Sequence, residues 1–193
     1  TSGTADNVGV IWQGQCQNQT FTSAATLLTL TGTAVSSTSY KHLTTVSGAS
    51  FSDHATAQTN PIRYNTAVGC ALETTNAGTT TVIITENFAQ VTKLQVTESG
   101  STGRAVFAQA ISCVVGECIL EGRATSALSS LGALTLQASP TIRNTVVILR
   151  ATGADHIVGL VDAATPTMIN CTLTTLRPRR RRLLRQAPPV RSR

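Results

Sequence analysis

Aromatic side chains make up only 4% of the 193 residues and charged ones only 12%. With seven aromatics in all, an extended sugar-binding stripe is not expected. No run of about 18 apolar residues occurs, so no membrane span is expected. The opening residues Thr1 to Asn7 are polar without a basic start, which does not fit a signal peptide. Cys16, Cys70, Cys113, Cys118 and Cys171 form no CxxC pair, and their spacing matches no zinc ribbon or finger. An odd number of scattered cysteines also argues against a disulfide framework and reads as small buried hydrophobes. There is no Gly-x-Ser-x-Gly elbow, no phosphate-binding glycine loop and no Gly-Gly-x-Gly-x-Asp calcium repeat, so no nucleophile, nucleotide or calcium chemistry has a motif to stand on. No catalytic residue, cofactor or metal is assigned.

What is present divides in two. Residues 1–176 are dominated by Thr, Ala, Ser, Val, Ile and Leu and carry a net charge of −2, whereas residues 177–193 carry eight Arg and no acid. The overall charge of +6 therefore belongs to the tail. We read 1–176 as one ordered domain and 177–193 as an Arg/Pro-rich tail, expected to be disordered in isolation because prolines and like charges disfavour helix and strand alike.

The domain repeats. Val91–Val96, Val115–Leu120, Ile142–Val147 and Met168–Leu173 can be laid over one another, with first residues 24, 27 and 26 apart. A second burst, Ala105–Ala108, Ala133–Leu136 and Ile157–Leu160, recurs in phase. That period is one coil of a parallel β-helix whose turns stack at roughly 4.8 Å. Helices need about ten or more residues at 3.6 spacing, which these short Thr- and Val-rich bursts do not provide. Period-2 alternation places Val96, Leu120, Val147 and Leu173 on the inner face, with Leu94, Cys118, Thr145 and Cys171 two residues earlier. The column before those, Lys93, Glu117, Asn144 and Asn170, falls at a bend where a left-handed backbone suits Asn. Earlier candidate strands are Val8–Trp12, Ala25–Leu30, His42–Val46, Val68–Thr74 and Thr81–Thr85. The expected fold is all-β: a right-handed, single-stranded parallel β-helix (β-solenoid) of six or seven coils over residues 8–176.

The segment Tyr40–Asn65, with Cys118-Ile-Leu-Glu121 and Asn170-Cys-Thr-Leu173 downstream, resembles uncharacterised parallel β-helix virion-associated proteins of tailed bacteriophages and prophages. The likeness spans about residues 20–176 and is one of overall pattern. It implies a virion protein, a structural or host-recognition component of tail fibre, spike or decoration type, and carries no active-site residue across. Two alternatives stay open: a β-helical polysaccharide lyase or hydrolase of tailspike type, and a secreted or cell-surface carbohydrate-binding adhesin.

Arg177, Arg179, Arg180, Arg181, Arg182 and Arg185 are the candidate polyanion-binding residues: they would neutralise phosphates and release counterions. An arm docking on an acidic protein and a tail without an evolved ligand are the competing readings. No aromatic is interleaved to stack bases. A glycosidase would need two carboxylates about 5 to 9.5 Å apart. Asp53, Glu73, Glu86, Glu98, Glu117, Glu121, Asp155 and Asp162 are available, with Glu98 and Glu121 expected near each other on one face; solvated surface charge is the simpler reading. His42, His54 and His156 read as ordinary surface or loop histidines, since neighbours such as Asp53 and His54 point to opposite faces of a strand. Trp12, Tyr40 and Tyr64 are the amphipathic aromatics, and Trp12 is expected to close the first coil. An open last coil ending at Leu176 would call for a partner, either other virion proteins or a copy of itself, most simply a trimer; host surface polysaccharide is a further candidate, nucleic acid enters only through the tail, and no membrane is expected.

Overall fold

The computed structural model describes residues 11–32, 36–53, 63–100, 103–124, 133–151, 158–160 and 164–176. The basic tail, His54, His156, Asp155 and Asp162 lie outside the described residues, and the expectations placed on them with them.

The short β-branched bursts become short strands, and each turn of the chain lays down three. The first turn is β1 (Ile11–Cys16), β2 (Thr20–Ser23) and β3 (Leu28–Leu30); the second is β4 (Tyr40–Thr45), β5 (Ala71–Thr74) and β6 (Thr80–Ile84). The third is β7 (Gln90–Thr92), β8 (Gln95–Glu98) and β9 (Arg104–Ala108), and the fourth β10 (Val114–Gly116), β11 (Ile119–Ala124) and β12 (Leu134–Leu136). The fifth is β13 (Thr141–Arg143), β14 (Val146–Ala151) and β15 (Val158–Leu160), followed by β16 (Thr167–Ile169) and β17 (Thr172–Leu176). Every third strand pairs in parallel, giving sheet A (β1-β4-β7-β10-β13-β16), sheet B (β2-β5-β8-β11-β14-β17) and sheet C (β3-β6-β9-β12-β15). This is a parallel β-solenoid.

The inner register is the one the alternation requires. Phe21, Leu72, Val96, Leu120, Val147 and Leu173 are consecutive partners in sheet B. Sheet A contributes Gly14, Leu43, Val91, Val115, Ile142 and Met168. Sheet C contributes Val82, Val106 and Leu134 beside Ile84, Ala108 and Leu136. The middle rungs of these ladders are fully buried and form one core, each large aliphatic side chain contributing on the order of 2 kcal/mol of burial.

From the second turn on, the chain passes between sheets A and B through a left-handed residue at the same place: Gly69, Lys93, Glu117, Asn144 and Asn170 all have positive φ. The corner is held by the next turn, since the N–H of Lys93 donates to Gly116 O at 3.1 Å, that of Glu117 to Arg143 O at 3.0 Å and that of Asn144 to Ile169 O at 2.9 Å. A second left-handed column, Phe88 and Ser112, precedes β7 and β10.

The turn count is smaller than expected. The described residues make about five turns, with β16 and β17 opening a sixth, not six or seven complete coils. The second turn is the reason: about 25 residues separate β4 from β5, so the first 88 residues supply two turns where their length alone suggests three or four. Part of that connection, residues 63–69, lies on the outer face of sheet B.

Candidate functional site

The outer face of sheet B is unusual because it is covered. Alternation sends Gln95, Thr97, Ile119, Glu121 and Ile148 outward, opposite to the core column, yet all five are buried. The connection after β4 supplies part of the cover. Gln95 clamps it: its Oε1 accepts the N–H of Asn65 at 2.9 Å, and its Nε2 donates to Asn65 O at 3.0 Å and to Val68 O. Tyr64 is thereby carried over the sheet, and its hydroxyl is buried without a hydrogen-bond partner among the described residues. Burial, then the charges of Glu73 and Glu121 and the Cys70 thiol, push its ionisation well above the ordinary tyrosine range. Glu73, Thr97 and Glu121 occupy one column of successive rungs, which separates the two glutamate backbones by roughly 10 Å.

Glu121 is not free to act as an acid or base. Arg150, from the next turn, holds it through two bonds, Nε to Oε1 and Nη2 to Oε2, the latter 3.1 Å, and the carboxylate side chain is only 3% exposed. This bidentate pairing, with the bond to Glu121 the largest cause, raises the ionisation of Arg150 above its ordinary value.

Glu86 and Glu98 are also enclosed, which corrects their reading as solvated surface charge, whereas Glu73 on β5 is only half-buried. Glu86 is buried and bonds the Lys41 ammonium at 2.5 Å, while the same Lys41 donates to Thr31 O. Glu98 is buried on the inner face of β8, in register with Thr74, and neither of its oxygens has a well-formed hydrogen bond. Its side chain is pressed against Gly100 and Gly103, whose missing Cβ atoms leave the room it occupies. Burial pushes its carboxyl up to about 7, opposed by the nearby amides of Gly103 and Gly100 and the charge of Arg123. Glu98 and Glu121 do not share a face: Glu121 pairs with Thr97, one residue out of phase with Glu98, so one points into the core and the other outward. Glu117 serves as a left-handed corner, and Asp53 accepts the Ser50 N–H at 3.2 Å in a local turn.

His42 lies on β4 and bonds Thr92 Oγ1 at 2.8 Å, part of a hydroxyl chain that continues to Thr44. Burial, and secondarily Lys93, lower its ionisation. Among the described residues no three His, Cys, Asp or Glu side chains converge on a metal position, and no helix is long and apolar enough to cross a membrane.

The two ends complete the picture. Trp12 does not close the first coil: it is 69% exposed and stands at the rim of an open cavity of about 330 Å³ with Gly14, Leu28, Leu30, Lys41 and Leu43. At the other end Met168, Ile169 and Leu173 are exposed on β16 and β17. Gln95 and Arg150 were the functional residues that sequence pattern missed. Their only signal was polar residues at outward positions, which is ordinary for any strand. Compared with protein-family models, curated proteins and solved structures, the chain matches none of them.

Proposed function

We propose that the protein is a non-enzymatic structural or interaction component of a phage-like particle, of tail fibre, spike or decoration type, located in the virion. The observation that carries this reading is the enclosure of three carboxylates: Glu86 and Glu121 are sealed in ion pairs and Glu98 is buried on the inner face. The flank then offers a rigid, shape-defined surface in place of an acid–base pair. The sequence resemblance supplies the virion context.

The partners that fit are other virion proteins or further copies of the chain, a trimer being the simplest, engaged through β16 and β17, which end their sheets among the described residues, and their exposed Met168, Ile169 and Leu173. Host surface polysaccharide is a second partner class for the flank, and polyanions such as nucleic acid for Arg177, Arg179–Arg182 and Arg185. A tail-deleted chain then loses retention on DNA at low salt, and the intact chain loses it as salt rises; equal retention of both forms excludes the tail as the binding element.

The enzyme reading, a β-helical polysaccharide lyase or hydrolase, draws on one observation, the placement of Glu73 and Glu121 about Tyr64 beside Arg150. An adhesin on a secreted or cell-surface chain is the third reading. Incubation with capsular polysaccharide from candidate hosts separates them. The structural reading predicts no new chain ends; depolymerisation abolished by Glu73→Gln establishes the enzyme.

A further inference from the structure

The two ends of the solenoid differ from its middle, and they complement each other. In the middle turns the inner columns are sealed: Val91, Val115 and Ile142 in sheet A and Val96, Leu120 and Val147 in sheet B are fully buried. Met168 and Leu173 hold the next positions of those columns and are exposed, because no further rung covers them among the described residues. At the opposite end the sheet A column finishes on Gly14, which has no side chain, and the open cavity of about 330 Å³ lies there between Trp12, Leu28, Leu30, Lys41 and Leu43. The sheet B column finishes on the half-buried Phe21.

Neither end carries the usual protection of a sheet edge. β1, β2 and β3 read Ile-Trp-Gln-Gly-Gln-Cys, Thr-Phe-Thr-Ser and Leu-Thr-Leu, and β16 and β17 read Thr-Met-Ile and Thr-Leu-Thr-Thr-Leu. These five strands contain no charged residue and no proline, the side chains that keep exposed edges from pairing.

We propose that the N-terminal end receives the C-terminal end of a second copy, so that copies stack head to tail along the solenoid axis. The proposal rests on the reading above that further copies of the chain are its partners. Neighbouring strands in sheets A and B are parallel throughout. A copy translated along the axis therefore presents β1 to β16 and β2 to β17 in the direction each sheet already uses, about 4.8 Å apart. Keeping the columns in line sets Met168 beside Gly14, where its long unbranched side chain enters the cavity, and sets Leu173 beside Phe21. A slip of one residue would turn both side chains to solvent, so the apolar columns fix the register. Sheet C, whose last strand β15 belongs to the turn before β16 and β17, takes no part in the junction. The contact joins two different surfaces and does not close, so it continues into a rod. A trimer about an axis parallel to the solenoid instead brings like ends to one side and leaves both end rungs uncovered.

The test uses the full chain in salt that screens its Arg-rich tail. Sedimentation should show mass growing with protein concentration without a fixed stoichiometry. Met168→Lys, at a position exposed in the single chain, should melt like wild type when dilute and stay monomeric when concentrated. A second pair of variants reads the register. Gln13 and Thr167 are exposed on the outer face of sheet A and lie in one column, which places them across the junction at a spacing a disulfide can span. Mild oxidation of a mixture of Gln13→Cys and Thr167→Cys should yield a peptide pair linked through positions 13 and 167, and neither variant alone should link to itself. A monomer at every concentration, a closed trimer, or a link between two copies at position 167 overturns the stacking and leaves the virion reading to particle microscopy. Head-to-tail rods from a chain that microscopy does not find in particles would uphold the stacking and remove the virion reading.

Discussion

Gln95 holds Asn65 from both sides, accepting its N–H at 2.9 Å and donating to its carbonyl at 3.0 Å. A side chain from the third turn thus plays the part of a sheet neighbour for a connection from the second, and it is what keeps Tyr64 over the outer face of sheet B. Replacing Gln95 by Ala leaves the backbone groups of Asn65 without these partners, at a cost of roughly 2 kcal/mol. Hydrogen exchange should accelerate in residues 63–69 and remain slow in β8 and β11. Uniform acceleration across all three would show that the clamp is not local.

Arg150 and Glu121 behave as a unit. Arg150→Ala strands a buried carboxylate, and although the guanidinium side is about one-third exposed the expected loss is on the order of 2 to 3 kcal/mol. Adding Glu121→Gln to that variant should return part of the stability, because the uncompensated charge is gone. A double variant less stable than Arg150→Ala alone would contradict the pairing.

Glu98 sets a pH dependence whose sign can be stated. In the unfolded chain its carboxyl titrates near the ordinary 4.5, and in the folded chain near 7. Between those values the folded protein holds a proton that the unfolded one does not. Its contribution is therefore fully present below about pH 4.5 and is lost as pH rises through 7, a change of at most about 3 kcal/mol. Denaturant melts of wild type and Glu98→Gln should converge at low pH and separate toward pH 8, with the glutamine variant the more stable there. Parallel pH profiles would refute the assignment.

The left-handed corners differ in strain. Lys93 and Glu117 sit at φ +63° and +55°, a conformation that costs a non-glycine residue on the order of 1 kcal/mol. Glu117→Gly should raise the melting temperature by a few degrees, whereas Asn144→Gly should change it little because Asn already tolerates this region. A Glu117→Gly variant that melts lower than wild type would mean that its side chain contributes more than its backbone costs.

These corners also show how much of the fold was legible. Asn144 and Asn170 announce a left-handed turn by residue type; Lys93 and Glu117 do not, and were placed only because the repeat aligned them with the asparagines. The Val96–Leu120–Val147–Leu173 ladder was legible because alternation is obligatory in a strand with one buried face. In the first two turns the candidate strands overlap β1, β3, β4, β5 and β6, but their number of turns was not legible, since the long connection between β4 and β5 breaks the period, and β2, with only Thr20–Ser23, has no β-branched run to mark it. The enclosed carboxylates were hidden for a different reason. Glu86, Glu98 and Glu121 look like surface charge in a sequence, and only Lys41, the glycine pair Gly100 and Gly103, and Arg150 make their burial tolerable.

The central claim, that this solenoid is a structural component of a phage-like particle, is tested most directly by cryo-electron microscopy of purified particles that contain the chain. The account predicts a rod of about five stacked three-stranded turns at a defined position, with the β16–β17 end against a neighbouring chain. Particles assembled and infectious without it, with the protein recovered only free in the medium, would contradict the claim.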